Sequence, residues 1–312
     1  MDRLVIALGG NALMQQGEEE TAEAMRASAR LAAELIAEIA SRGHEVVVTH
    51  GNGPQVGRIL LQNEAAREIV EPMPLDVCGA ESQGQIGYLL QTTIGDVFYE
   101  RDMEKPVVTV LTLTRVRPDD PAFEHPTKPV GPYYLEKDAK RFAEERGWHV
   151  APSGEGTWRR VVASPHPYSI VEAPVIRQLV ESKAIVIAAG GGGVPVVEEG
   201  PRLVGREAVV DKDLAAAILA RDVGAAALII LTDVDGVYEN WADKKARRKL
   251  DRLGAGEARA LLEAGGLGEG SMGPKVEAAL NFVEAGGGRA VIAALTDAVA
   301  AAEGGAGTTI TA

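Results

Sequence analysis

The chain has 312 residues, 46% of them hydrophobic, which allows one large α/β domain or two lobes with ample core. A formal net charge of −13 and a pI near 5.0 argue against non-specific nucleic-acid binding, which needs a basic face, so any phosphate site must be built locally from lysines and backbone N–H groups. Cys78 is the one cysteine, so no internal disulfide forms and a reducing, cytoplasmic compartment fits. The N-terminus carries no basic region followed by a signal-length apolar stretch. No segment approaches the roughly 18 apolar residues of a membrane span.

In chain order, Arg3 to Leu8 reads as a first strand, followed directly by Gly9-Gly10-Asn11. Thr21 to Arg42 is a long helix, with Leu31, Leu35, Ile36 and Ile39 at helical spacing and Gly43 as its stop. Glu45 to Thr49 is a second strand ending in His50-Gly51-Asn52-Gly53-Pro54, and a helix starts near Pro54. Ala80 to Arg101 is helical and Val107 to Leu113 a third strand. Thr114 to Pro167 breaks the rhythm with prolines, arginines, aromatics and one short helix at about Leu135 to Arg146; it reads as an inserted subdomain. Ser169-Ile170-Val171-Glu172 matches a capping box for the next helix.

Ala184 to Ala189 is a buried strand. It runs into four glycines, Gly190 to Gly193, and then a hairpin that turns over Glu199-Gly200-Pro201. Asp213 to Asp222 is a helix, Ala225 to Leu231 a buried strand, and Glu239 to Leu253 loop-like. Ser271 to Gly286 is a helix, Arg289 to Ala294 a strand, Asp297 to Glu303 a short helix and Thr308 to Thr311 a last edge strand. Alternating strands and helices predict a three-layer αβα sandwich around a mainly parallel open sheet. The expected division is an N-terminal lobe over 1–205, carrying the insertion at about 114–167, and a C-terminal lobe over 206–312.

The stretch from Ala184 to Asp213 points to an anion. Consecutive glycines let backbone N–H groups converge on one oxyanion, and a parallel strand delivers them to the carboxyl edge of the sheet. Lys212 adds a positive charge, and Asp211 and Asp213 flank it, able to orient an ammonium group or hold a metal-bound water. The competing reading is a flexible glycine linker before a charged helix start. Several strands end in small or polar loops on the same edge: Gly9-Gly10-Asn11, Gly51-Asn52-Gly53, Gly190 to Gly193 and Thr232-Asp233. Adjacent cradles fit a phosphoryl group passed between two bound molecules. Such transfer asks mainly for positioning and positive charge. Lys212 supplies charge, as does Lys275 at the helix start Gly270-Ser271-Met272-Gly273-Pro274-Lys275. Lys128 lies between the prolines of Pro126-Thr127-Lys128-Pro129-Val130-Gly131-Pro132. Taken singly, each lysine reads more readily as surface charge than as a site residue; the case rests on their settings together. The P-loop, the glycine fingerprint after the first strand and the protein-kinase catalytic triplet are absent.

These motifs resemble the amino acid kinase superfamily, from about Arg3 to Thr311. The carriers are Ala7-Leu8-Gly9-Gly10-Asn11-Ala12, the helix start at Asp213, Leu231 to Tyr238 and Gly270 to Lys275. Its carbamate kinase branch is matched by His50 to Gly57, Glu81-Ser82-Gln83-Gly84-Gln85-Ile86-Gly87-Tyr88, Pro126 to Tyr134, Arg159 to Val162, Gly190 to Pro195 and Val210 to Asp213. The resemblance implies reversible phosphoryl transfer between carbamoyl phosphate and ADP, giving carbamate and ATP, with Mg2+ on the ATP/ADP phosphates and no protein metal site. It also implies a cytoplasmic homodimer serving arginine metabolism, with no nucleic-acid or membrane partner. Gly9, Gly10, Asn11, Gly51, Asn52 and Gly53 would hold the phosphoryl and carbamate ends, beside Gly191 and Gly192 of the anion cradle. Lys128 would close over them as part of a lid. Lys212 and Lys275 would neutralise the transition state with Asp213 orienting both, and Thr232, Asp233, Tyr238, Ser271 and Met272 would line the nucleotide site. Synthesis of carbamoyl phosphate, a regulatory nucleotide-binding module and a kinase for an acylated amino acid are the alternative expectations.

Overall fold

The computed structural model describes residues 2–9, 21–241, 246–265, 267 and 272–312. Gly10, Asn11 and Ser271, named above as site residues, lie outside the described residues. The chain opens with β1 (Arg3–Leu8), α1 (Ala22–Ser41), β2 (Glu45–His50), α2 (Gly53–Ala65), α3 (Leu75–Glu100) and β3 (Val107–Thr109). After β4 (Leu113–Val116) come β5 (Lys128–Leu135), α4 (Glu136–Arg146), β6 (His149–Pro152), β7 (Thr157–Val162) and β8 (Pro167–Ile170). Then follow α5 (Ala173–Glu181), β9 (Ile185–Ile187), the hairpin β10 (Val194–Glu199) and β11 (Arg202–Gly205), α6 (Lys212–Val223) and β12 (Ala227–Thr232). The C-terminal part adds β13 (Val237–Glu239), β14 (Arg248–Leu250), β15 (Arg252–Gly254), α7 (Ala255–Glu263), α8 (Met272–Glu284), β16 (Arg289–Ala294), α9 (Ala298–Ala302) and β17 (Thr308–Thr311).

The main sheet runs β15-β17-β16-β12-β1-β2-β9-β3, parallel except where β17 meets β16. Its strands are apolar on both faces, as a sheet covered on both sides requires. Leu4, Ile6 and Leu8 of β1 face one core with α1, α3 and α9, while Val5 and Ala7 face the other with α5, α6, α7 and α8. That is a three-layer αβα sandwich. Each buried leucine or isoleucine contributes roughly 1.5–3 kcal/mol, so central strands such as β1 anchor the edge on which the site is built. From β1 the chain moves first to β2 on one side and later to β12 on the other. This reversal leaves a crevice outside the carboxyl ends of the strands.

A smaller sheet, β11-β10-β4-β8, sits beside the first, and the segment 117–166 departs from it and returns to it. That segment carries an antiparallel three-stranded sheet, β5-β7-β6, with α4 packed on it through Tyr134, Phe142 and Trp148. Its base meets α2 and α3 through Val130 and Val162 against Val56, Ile59, Leu75 and Cys78.

Five expectations need correction. Val107 to Leu113 is not one strand: the Gln83 side chain bonds both backbone groups of Thr112, at 3.0 and 3.1 Å, and the chain leaves one sheet for the other there. No capping box forms at Ser169 to Glu172, because Ser169 belongs to β8 and the Glu172 carboxylate accepts from the Leu113 N–H at 2.7 Å. The region 239–253 contains the β13–β14 hairpin and β15, and the unforeseen α7 follows it. Helix α3 starts five residues before Ala80, at Leu75. Strand β17 is not at the edge, since β15 pairs outside it.

Candidate active site

A cleft of about 1310 Å³ opens at the carboxyl edge of the main sheet. Gly9 follows β1, Gly51 to Gly53 follow β2, Gly191 follows β9, and Thr232 and Asp233 end β12; all line it. Lys212 and Asp213 enter it from the first turn of α6, Lys275 from the first turn of α8, and Lys128 with Arg159 from the insertion. Residues far apart in sequence therefore share one cavity.

Its chemical centre is Asp213, 3% exposed. One carboxylate oxygen meets Lys212 Nζ at 2.5 Å and the other meets Lys275 Nζ at 3.1 Å. Two ammonium groups share one carboxylate, so the trio carries a net positive charge in a poorly solvated place. Such a charge costs solvation energy unless an anion compensates it. The N-terminal turns of α6 and α8 add dipoles of the same sign.

Asp211 is the N-cap of α6. Its Oδ1 accepts the N–H groups of Asp213 and Leu214 at 2.9 and 3.4 Å, which explains why the helix starts there. Its Oδ2 accepts from Lys128 Nζ at 2.9 Å, linking the insertion to the core. Burial disfavours the Asp211 carboxylate, but the Lys128 ammonium and the two backbone N–H groups outweigh burial and hold its pKa below the ordinary aspartate value. Arg159 further braces the insertion by donating to the Gly131 carbonyl at 2.8 and 3.2 Å.

The four-glycine turn is packed too closely for side chains. A Cβ on Gly191 would lie 2.1 Å from Asn52 Nδ2, and one on Gly192 would lie 2.3 Å from the Val210 carbonyl; both residues also have positive φ, 64° and 92°. The N–H of Gly192 donates to Ala189 O, and that of Gly193 to Gly190 O, each at 3.0 Å. Those amides close the turn, and Gly192 does not line the cleft, whereas Gly191 does. His50 is buried against the same turn, its Nδ1 donating to the Gly51 carbonyl at 2.9 Å. Burial, reinforced by the nearby Lys212 charge against the bond to Gly51, lowers its pKa to about 4, so the ring is neutral near pH 7.

At the end of β12, Thr232 Oγ1 donates to Asp233 Oδ1 at 2.9 Å on the cleft wall. Tyr238 and Met272 do not line the cavity. Tyr238 donates to Asp235 Oδ1 at 2.7 Å and stands edge-on to Trp241, and Arg247 lies about 5 Å from both rings. Met272 packs against the core under α8. Among the described residues, no three His, Cys, Asp or Glu side chains gather into a metal cage.

Sequence reasoning assigned no site role to His50 or Ser82, and it set Asp211 beside Lys212 rather than against Lys128. The available signal for Asp211 was its N-cap position before Lys212; for Ser82 it was the Glu81-Ser82-Gln83 motif facing the Asn52 loop.

The sequence pattern that defines the amino acid kinase family matches residues 2–294. The carbamate kinase of Pyrococcus horikoshii is 51% identical over 312 residues, covering 99% of each chain. The carbamate kinase of Rhizobium meliloti is 46% identical, covering 99% of this chain and 93% of its own. Among solved structures, the carbamate kinase of Giardia lamblia bound to AMP-PNP superposes with a TM-score of 0.93 at 43% identity, covering 99% of this chain and 98% of that one.

Proposed function

The chain belongs to the amino acid kinase family, and on that footing we propose that it is a carbamate kinase. It transfers a phosphoryl group between carbamoyl phosphate and ADP, giving carbamate and ATP. The observation that carries this reading is the largely buried Lys212–Asp213–Lys275 trio at the strand ends, in a chain that aligns with carbamate kinases over nearly its whole length.

The chemistry follows from charge. A transferring phosphoryl group spreads negative charge over its oxygens, and fixed cations lower the barrier most when they need no rearrangement. Asp213 holds two ammonium groups in place before any substrate arrives. Lys128 brings a third positive charge from the insertion, held at the N-cap of the same helix. In this proposal Gly9, Gly51, Asn52, Gly53 and Gly191 hold the carbamoyl phosphate end within the N-terminal lobe 1–205. Thr232 and Asp233 of the C-terminal lobe 206–312 face the nucleotide. The insertion acts as a lid, which would keep water from an acyl phosphate that hydrolyses when exposed.

Mg2+ would ride on the ATP/ADP phosphates and shield their charge when bound. The donor set fits that arrangement, since the cleft wall offers the Asp233 carboxylate but the described residues gather no protein cage. A homodimer in the cytoplasm completes the proposal. Ile69 and Tyr99, 90% and 87% exposed, are apolar surface that a partner copy could cover. No described helix is long and apolar enough to cross a membrane. Both directions of transfer use the same groups.

The test is formation of ATP from ADP and carbamoyl phosphate by the purified chain. Turnover that depends on both substrates supports the reading. ADP binding with no turnover would leave a nucleotide-binding module instead.

A further inference from the structure

One hydrogen-bond chain at the cleft fixes a group whose polarity differs from its surroundings. The Gly79 carbonyl can only accept, and Ser82 Oγ lies 2.6 Å from it, so the Ser82 proton points there. The Ser82 oxygen then has only lone pairs left. The Asn52 atom 2.8 Å from it must be the donor Nδ2. This settles the orientation of the Asn52 amide, which heavy-atom positions alone would leave ambiguous. Asn52 lies flat against Gly191 and lines the cleft, and no described residue donates to its Oδ1.

Several nearby acceptors are engaged. The Gly51 carbonyl accepts from His50, Ala189 from Thr49 Oγ1 at 2.9 Å, and Gly192 from Thr114 Oγ1 at 2.8 Å. Asp213 and Asp211 receive lysines. Asn52 Oδ1 is thus a side-chain acceptor that shares the cleft with the donors Lys128, Lys212 and Lys275. Phosphate oxygens and the substrate carbonyl only accept. The part of carbamoyl phosphate that donates is its NH2 group.

Resting on the carbamate kinase reading above, we infer that Ser82 is a positioning residue that holds Asn52 Oδ1 to accept the carbamoyl N–H. The pair thereby selects carbamoyl phosphate over acyl phosphates that carry a methyl group in its place. A site built to bond an N–H discriminates against an analogue lacking it, because its own acceptor is left unpaired.

The experiment compares kcat/KM for carbamoyl phosphate and acetyl phosphate, with ADP as acceptor, in the wild type, Ser82→Ala, Asn52→Ala and the double variant. Asn52→Ala is expected to lower the preference for carbamoyl phosphate by about tenfold or more, the size of one hydrogen bond to a substrate. Ser82→Ala should lower it several-fold, leaving the KM for ADP and the melting temperature near wild type. In the double variant, Ser82→Ala should add nothing to the preference change, because it acts through Asn52. Parallel loss on both acyl phosphates, or a further shift in the double variant, overturns the inference. If Ser82→Ala does not fold, Ser82→Cys fills the site with a slightly larger group that is a much weaker acceptor and gives the same comparison. A wild type that phosphorylates ADP from neither compound overturns the functional reading itself. Wild-type turnover with an unmoved ratio overturns only the selectivity role.

Discussion

Two aspartates at the head of one helix hold lysines from different parts of the molecule. Asp213 receives Lys212 and Lys275, both on core elements, with side chains 16% and 7% exposed. Asp211 receives Lys128, which arrives from the insertion and is 37% exposed. The first arrangement is a built-in cluster, costly to disturb at Asp213, whose removal sets two poorly solvated ammonium groups against each other without their shared carboxylate. The second is a half-open ion pair, worth at most about 1 kcal/mol. The core therefore supplies charge from two helix starts of the main fold, and the insertion supplies charge from a separate sheet through one more exposed lysine.

The largest effect should come from breaking the core cluster. Lys212→Ala should reduce kcat by roughly 100- to 1000-fold, the loss seen when one preorganised donor to a transition state is removed. Asp213→Asn should be nearly as damaging, since a neutral amide cannot hold two mutually repelling ammonium groups. Steady-state rates with carbamoyl phosphate and ADP measure both. A Lys212→Ala enzyme within a few-fold of wild type would sink the assignment of the cluster to the reacting group.

His50 gives the core a second signature, in pH. Its folded pKa, about 4, lies below the ordinary value of 6.5. The neutral ring thus adds stability above pH 6.5, and this is lost as pH falls toward 4, where the unfolded chain takes up the proton more readily. The span of about 2.5 units corresponds to roughly 3 kcal/mol. Melting temperatures between pH 7.5 and 4.5 should fall more steeply for the wild type than for His50→Gln. Equal slopes would remove His50 as a cause.

The same comparison explains what could be read from the sequence. Strand β1, helix α1 and strand β16 were legible because each carries its own periodicity and stop signal. The glycine turn was legible because Gly191 and Gly192 have no room for any other side chain. The break after β3 was not, because it depends on Gln83, about 30 residues away, gripping the Thr112 backbone. Helix α7 buries only Ala258 fully and so lacked an apolar stripe. The Lys128–Asp211 pair joins residues 83 positions apart, a contact that local pattern cannot supply. Lys212, Lys275 and the carboxylate of Asp213 between them could be nominated from motifs and the resemblance; that Asp211 holds Lys128 needed the fold.

On the insertion side, Lys128→Ala should act on one substrate more than the other. It removes the charge that the insertion brings to Asp211 and leaves the Thr232–Asp233 bond untouched. The KM for carbamoyl phosphate should rise about tenfold or more, on the scale of a charged hydrogen bond, while ADP affinity measured by calorimetry changes little. Weakened ADP binding with unaltered carbamoyl phosphate use would reverse the proposed division of the cleft.

The smallest effect belongs to Asp211→Asn, and it separates two jobs held by one side chain. Asparagine caps a helix about as well as aspartate, so the bonds to the N–H groups of Asp213 and Leu214 should survive and the melting temperature at pH 7 should barely move. The charge that holds Lys128 is lost. A half-exposed pair of this kind is worth up to about 1 kcal/mol, so the KM for carbamoyl phosphate should rise by no more than about fivefold. Acid should do the same to the wild type: the Asp211 pKa is depressed, so the pair is intact above the ordinary carboxylate range and is lost only as pH falls below it. A lower KM in Asp211→Asn would carry the opposite lesson. It would mean that Asp211 competes with the substrate phosphate for the Lys128 ammonium, and that the ion pair restrains the insertion rather than delivering its charge.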